Sequence, residues 1–424
     1  MNVINKTLIK AKQQHLLVCV SILAVICTLF VFAFRVNAGN RSTIKLNISS
    51  ANSVTAGSTI VGSKISFSTQ AVSPSPGHGS MTHIDNSKIP APAGGYSKLA
   101  VNPNGGIGTG GQPGAFRTRC DYSHMNYDDP ILYPGQAGKA HLHTFFGNTG
   151  ANYTSSSQSL KQSGNSTCFG GIFNRSAYWV PTMVKPDGTP VAPKDRRNTA
   201  NSDDIEIYYK ASGSQGVNMD DAIAFPDGFQ VVAGNLNSAS GPTTRNDPQI
   251  GAKQDVGYVC EDSNFKAFLP GKYDIERSKG SPHIPNCPQG SILTMYVRFP
   301  QCWDGKNLAS TDGRSHVAYG NWKAEGTAVS PGRGCPASHP YGFPEIELFV
   351  HYTVDDPAGS GKWRLSSDNY SNDIPGGYSG HADYIFAWDS SAFPSIVKNC
   401  YKARRDCGET LGDGRTLLRV RGLY

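Results

Sequence analysis

The stretch Glu345-Ile346-Glu347-Leu348-Phe349-Val350-His351-Tyr352-Thr353-Val354 alternates with a period of two. Ile346, Leu348, Val350, Tyr352 and Val354 fall on one side; Glu347, Phe349, His351 and Thr353 fall on the other. Successive side chains of a strand point to opposite faces, so this is the pattern of a half-buried β-strand. Residues 292–299 and 204–209 read the same way, and 229–233 and 178–184 are shorter strands. Turn clusters such as Pro186-Asp187-Gly188 and Pro226-Asp227-Gly228 punctuate them. One helix is expected late in the chain, capped by Asp389 or Ser390, with Phe393, Ile396, Val397 and Cys400 on one face. No internal repeat is visible. Many short strands, long loops and one late helix predict a mainly β fold. The expected architecture is a disulfide-braced β-sandwich or jelly-roll-like core with one or few short helices.

Composition supports this reading. The chain has 424 residues, of which 38% are hydrophobic and only 17% charged, with 47 Gly and 27 Pro. Helical bundles need charged, Ala/Leu-rich faces that are scarce here, and 10% aromatics argue against wholesale disorder. The formal charge of +7 is unevenly placed. Residues 113–407 hold 27 Lys+Arg against 29 Asp+Glu, so the basic excess lies in the terminal segments. A nucleic-acid binder would carry its basic stripe on the folded domain, so that class is excluded.

Residues 16–34 are apolar apart from Ser21 and Thr28, with Lys6, Lys10 and Lys12 before them and Arg35 after. As a helix this run would be about 28 Å long, close to the hydrocarbon thickness of a bilayer. The charge asymmetry places residues 1–15 in the cytoplasm and the rest outside. The expectation is an uncleaved signal-anchor, with a signal peptide cut after Ala38 as the rival. Residues 39–112 are rich in Ser, Gly, Asn and Pro, hold six charges and two aromatics, and read as a flexible linker. An extracytoplasmic β-rich domain over 113–408 and a basic tail over 409–424 complete the division. Cys19 and Cys27 lie in the apolar run; the other eight of the ten cysteines read as disulfides of an exported domain. Cys400–Cys407 is the one pair that sequence proximity singles out. No C-x-x-C pair occurs, which argues against a zinc ribbon or thioredoxin-type site. Asn152, Asn165, Asn174 and Asn369 head N-x-S/T triplets.

The chemistry-bearing residues are histidines. No H-E-x-x-H, G-x-S-x-G, P-loop or dinucleotide fingerprint is present. His141-Leu142-His143 precedes Thr144-Phe145-Phe146-Gly147, and on a strand residues i and i+2 share a face, so both imidazoles can converge on one ion or ligand. His381-Ala382-Asp383 repeats that geometry with a carboxylate. Expected to gather nearby are His316 of Arg314-Ser315-His316-Val317 and His339 of Cys335-Pro336-Ala337-Ser338-His339-Pro340. Glu345 and Glu347 share one strand face, which reads as solvated.

Seven segments occur in order: His141 to Gly147, Tyr178-Trp179-Val180-Pro181-Thr182, Phe225-Pro226-Asp227-Gly228-Phe229, Phe299-Pro300-Gln301-Cys302-Trp303-Asp304-Gly305-Lys306-Asn307-Leu308, Ser315-His316, Cys335 to Pro340, and His381-Ala382-Asp383-Tyr384. In these the chain resembles the domain-of-unknown-function family nineteen-ninety-six of exported fungal and bacterial proteins, over about residues 117–402. The resemblance implies no settled activity. Its motif histidines correspond to His141, His143, His316, His339 and His381, and its motif acids to Asp304 and Asp383. Fungal relatives carry the domain beside sugar-binding WSC modules, which implies a cell-surface polysaccharide setting by association. No such module occurs in this chain.

Two classes of function follow. In the first, His141, His143, His316, His339, His381, Asp304 and Asp383 line one catalytic cleft. A divalent metal held by His141, His143, His381 and Asp383, or a His/Asp acid–base pair, hydrolyses a glycan there. In the second, the cleft binds a cell-wall or extracellular polysaccharide through Trp179, Trp303, Trp388 and Lys306 without turnover. A structural cell-envelope protein is the third reading. The test between them is geometric: the first needs the histidines within metal reach, the second needs exposed aromatics.

Overall fold

The computed structural model describes residues 82–419 apart from 109–112, 195–202, 211–218, 235, 237–243, 246–252, 276–279 and 321–333. All of them fall in the compact unit Ser75–Tyr424. The expected anchor at 16–34 lies outside the described residues. Among those described, no helix is long and apolar enough to cross a membrane.

Two antiparallel sheets dominate. In chain order their strands are β1 (Ala115–Cys120), β2 (Tyr122–Asn126), β3 (His143–Gly147), β4 (Ala177–Pro181), β5 (Ile205–Lys210), β6 (Gln230–Gly234), β7 (Val256–Glu261), β8 (Ala267–Phe268), β9 (Ile292–Arg298), β10 (Glu345–Thr353) and β11 (His381–Ile385). The six-stranded sheet runs β8-β7-β9-β10-β5-β1, and the five-stranded sheet runs β2-β3-β4-β11-β6. The period-two strand 345–354 is β10, the centre of the larger sheet. Its Ile346, Leu348, Val350 and Tyr352 join Leu293, Met295 and Val297 of β9 and Ile205, Ile207 and Tyr209 of β5 in one buried cluster. Phe146, Tyr178, Val180, Val231, Ala233 and Tyr384 of the five-stranded sheet enter the same cluster. The architecture is therefore a β-sandwich. Between the sheets the hydroxyls of Tyr178 and Tyr209 meet at 2.7 Å, and the Trp388 indole donates to Tyr209 at 3.2 Å. The polar tips of Tyr178, Tyr209 and Trp388 are thus satisfied by one another.

The five-stranded sheet is buried on its outer face too. Phe145, Trp179, Val232 and Ile385 pack there against Ile131, Ala151, Leu160 and Ala387 from loops and a short helix, Ser157–Gln162. This second apolar layer explains why 178–184 shows no period-two alternation: both faces of β4 are covered.

Four disulfides brace the fold: Cys120–Cys168, Cys260–Cys287, Cys302–Cys335 and Cys400–Cys407. All eight cysteines outside the apolar run are paired, including the one pair that proximity singled out. The late helix occupies Ala392–Ile396 and continues as a π-turn through Val397–Tyr401, with Phe393, Ile396, Val397 and Cys400 buried. Its N-cap is Ser391, which makes no side-chain cap bond; Asp389 instead accepts from the Ser391 backbone at 2.9 Å.

Two polar segments outside the main sheets pair with each other. Within the expected linker, residues 82–108 are ordered on the domain: Val101–Gly106 pairs antiparallel with Gly414–Leu417, Tyr96 exchanges backbone bonds with Ser166, and the Ala100 N–H donates to the Gly170 carbonyl. The expected basic tail supplies the other half of that ribbon, and Arg415 bonds Asp413 and Ser391. Main-chain pairing needs no apolar side chains, so a polar composition hid it. Glu345 and Glu347 are not solvated either. Both are buried, with Arg298 3.4 Å from Glu345 and 3.1 Å from Glu347, and Lys210 2.6 Å from Glu347.

Candidate metal centre

Antiparallel register assembles the site. On the outer face of the five-stranded sheet, His143 of β3 stands opposite Pro181 of β4, and His381 of β11 stands opposite Gly234 of β6. Two residues along, Phe145, Trp179, Asp383 and Val232 form the next row across the sheet. His381 and Asp383 therefore share a face, as period two requires. His141 lies just before β3 rather than on it. Its backbone is held through Leu142, whose carbonyl accepts from the Thr182 backbone at 3.0 Å and from the Ser366 hydroxyl at 2.5 Å.

The three imidazoles meet. The Nε2 atoms of His141 and His381 are 3.2 Å apart, the rings of His141 and His143 are 4.2 Å between centroids, and those of His143 and His381 are 5.7 Å. One ligand nitrogen from each of the three lies within 4.8 Å of the others. Their outer partners set the tautomers. His143 Nδ1 faces the Asp128 carbonyl at 3.0 Å, and His381 Nδ1 faces the Ser379 carbonyl at 2.8 Å. A carbonyl only accepts, so both Nδ1 atoms carry the proton and both Nε2 atoms present a lone pair to the cluster. His143 Nε2 is buried with no hydrogen-bond partner. Such an arrangement, backbone carbonyl to imidazole to an open nitrogen, is how metal-ligating histidines are oriented.

Burial sets the charge states. His143 is pushed down to about 3, first by burial and then by the neighbouring His381, so it stays neutral across the physiological range. His141 and His381 are held well below their ordinary value, again by burial first and by a neighbouring imidazole second. Asp383 is fully buried, and neither of its carboxylate oxygens has a partner. Burial and then the charge of Asp129 push its acid well upward, while Arg314 opposes them. Asp129 itself accepts from the Ile131 and Leu132 backbones, both at 2.9 Å.

Sequence reading missed Arg314 and Asp129. Arg314 acts electrostatically on both His381 and Asp383, and its Nε and Nη2 are buried without a partner. Its place beside the motif Ser315-His316 was the available signal. Asp129 carried none, because only the tertiary fold brings the 128–132 turn to β11.

Other expected site residues lie in different settings. His316 is not directed at the trio: its Nε2 meets the Gln230 carbonyl at 2.8 Å and its Nδ1 the Ser310 hydroxyl at 2.9 Å. His339 is held by the Ser315 carbonyl at 3.2 Å and the Ser338 hydroxyl at 2.9 Å. His316 therefore ties its loop to β6, and His339 ties two loops together. Asp304 closes a turn, accepting from the Lys306 and Asn307 backbones at 2.8 and 3.0 Å, which leaves Lys306 on an exposed loop. Trp303 is half-buried, stacked on Phe343 with its indole donating to the Asn307 carbonyl. Trp179 and Trp388 are wholly buried in the two cores, so neither offers a face to a saccharide. The single partly exposed cleft expected for all these groups is replaced by a buried trio. Only His141 of the three is more than marginally accessible.

A family model described as Domain of unknown function (DUF1996) matches residues 129–388, an interval that holds the three histidines with Asp129, Arg314, Ser379 and Asp383. No curated protein and no solved structure matches the chain.

Proposed function

The chain belongs to the family described as Domain of unknown function (DUF1996), and on that premise we propose that it is an extracytoplasmic metal-binding protein whose His141, His143 and His381 hold one divalent transition-metal ion. The observation that carries the reading is the pair of imidazoles locked through Nδ1 to the Asp128 and Ser379 carbonyls, with His381 Nε2 3.2 Å from His141 Nε2 and His143 Nε2 buried without a partner. Three neutral imidazoles suit zinc, copper, nickel or iron better than the hard cations calcium and magnesium. Leaving such a cluster buried and unfilled is costly, and a bound ion removes that cost.

The finer reading is hydrolysis of a glycan at this centre. Burial holds the Asp383 carboxyl well above its ordinary value, which favours the protonated form that could give a proton to a leaving oxygen. Arg314 offers N–H donors to developing negative charge. A polysaccharide as substrate is supported by the oxidised character of the domain and by the association of its fungal relatives with sugar-binding modules. A second reading is a structural ion without turnover, which the complete burial of His143, His381 and Asp383 favours. Anchoring through residues 16–34 belongs to the same proposal.

Metal analysis of the full chain purified in mild detergent tests it. About one equivalent of a transition metal is expected, lost in His143→Ala with an unchanged circular dichroism spectrum. Absence of metal after reconstitution with zinc, copper, nickel and iron removes the proposal. A hydrolysis screen on wall glycans, run before and after chelation, separates the two readings: a catalytic ion takes the activity with it, and a structural one takes only thermal stability.

A further inference from the structure

A cavity of about 490 Å³ opens on the edge formed by the strand Arg364–Leu365, the turn after Met183–Val184 and the loop 372–376. Among the described lining residues, Lys185, Lys362 and Arg364 are the cations, His83 adds an imidazole and Asp373 is the one acid. The walls are fixed. Arg364 pairs across the ribbon with Val184 and is 8% exposed. Its Nη1 donates to the Ile374 carbonyl at 2.9 Å, its Nη2 donates to the Tyr370 carbonyl at 2.9 Å, and the guanidinium lies 4.6 Å from the Tyr370 ring centroid. Arg364 Nε is buried and has no partner. Lys185 is positioned by Asp355 at 2.7 Å and by the Trp363 ring at 5.9 Å. On the far wall, Thr82 bonds the Leu365 and Asp368 carbonyls, which brings His83 to the rim. The acid is already engaged, with Asp373 accepting from the Ser371 hydroxyl at 3.0 Å.

A concavity with Lys185 and Arg364 held in place and Lys362 exposed on its wall suits an anion. Its size exceeds that of a free inorganic ion and falls in the range of small-ligand sites. Ile374, Pro186 and Pro375 add apolar wall of the kind that packs on the face of a sugar ring. We infer that the cavity binds an anionic saccharide, with the negative group against Arg364 and Lys362. The charge can be a uronate carboxylate or a phosphodiester, since both are met by the same N–H donors. The inference does not depend on the metal reading, because none of the three histidines lines the cavity.

Lys362 is exposed, so its replacement leaves the fold intact. Titration of the full chain, followed by Trp fluorescence and calorimetry, would use tri-galacturonate, a glycerol-phosphate oligomer and neutral maltotriose. At least one anionic probe is expected to bind, with affinity falling as salt rises and maltotriose silent. Lys362→Glu is expected to weaken that binding about tenfold or more, an effect of about 1.4 kcal/mol. Lys398→Glu, the same charge change on an exposed position outside the cavity, is expected to leave it unchanged. Preference for tri-galacturonate assigns the carboxylate, and preference for the oligomer assigns the phosphodiester. Three results overturn the inference: neither anion binds, maltotriose binds equally well, or the two charge reversals act alike.

Discussion

Glu345 shows how a single side chain departs from its sequence appearance. Burial pushes its carboxyl up to about 8, with Arg298 opposing and Glu347 adding to the rise. Glu347 moves the other way: burial raises it, but Lys210 and Arg298 outweigh that and hold it below its ordinary value. Folded Glu345 thus keeps a proton that the unfolded chain, titrating near 4.5, has released. Its stabilising contribution is complete below about 4.5 and is lost as pH rises through about 8. Glu345→Gln keeps a neutral group in place at every pH. The melting temperature of the variant relative to wild type is therefore expected to climb by several degrees between pH 5 and pH 9. Parallel melting curves across that range would show that the pair does not titrate in this way. The two carboxylates were legible as neighbours on one strand face. Their burial was not, because the basic partners come from β5 and β9, far away in sequence.

At the scale of elements, the contact between β6 and β11 controls the trio. Gly234 stands opposite His381 with φ +89°, a conformation that side chains rarely adopt, and an added Cβ would lie 2.5 Å from the Gly380 carbonyl and 2.7 Å from the His381 Cα. Both contacts are backbone, so β11 itself must shift. Gly234→Ala is expected to cost about 1–3 kcal/mol of stability and to lower metal occupancy in parallel with His143→Ala. Differential scanning fluorimetry and metal analysis on the same preparation check both. Full metal content in a destabilised Gly234→Ala protein would mean that β11 holds His381 without help from β6. The spacing His381-Ala382-Asp383 was enough to place both side chains on one face. Nothing in it indicated that the rings of His141 and His143, from another segment, would come to lie beside His381.

For the whole molecule, the disulfides and the terminal ribbon set the behaviour. Every cysteine beyond the apolar run is paired, so thiol labelling of the denatured, unreduced protein is expected to find no reactive group among these eight. Breaking Cys120–Cys168, which closes 48 residues, is expected to cost about 2–5 kcal/mol by thermal or denaturant unfolding. Four or more free thiols would contradict assembly in an oxidising compartment. Expression in the native host is expected to leave the protein in the membrane fraction with its C-terminal part open to external protease. N-terminal sequencing that begins at Gly39 would replace the anchor with a cleaved signal and leave export untouched.

Local pattern determined the secondary structure, the oxidised character of the domain and the pairing of neighbours. Period two in 345–354 marked a strand, an even cysteine count marked disulfides, and i, i+2 spacing aligned His381 with Asp383. These features depend on residues adjacent in the chain, so a linear reading reaches them. Only the tertiary structure decided that His141 meets His381 across 240 residues while His316 and His339 brace loops. It also decided that Trp179 and Trp388 fill cores and that polar segments at both termini pair as a ribbon. The reason is physical: whether an imidazole is a ligand or a brace depends on which carbonyl reaches its other nitrogen, and that partner is delivered by strand register.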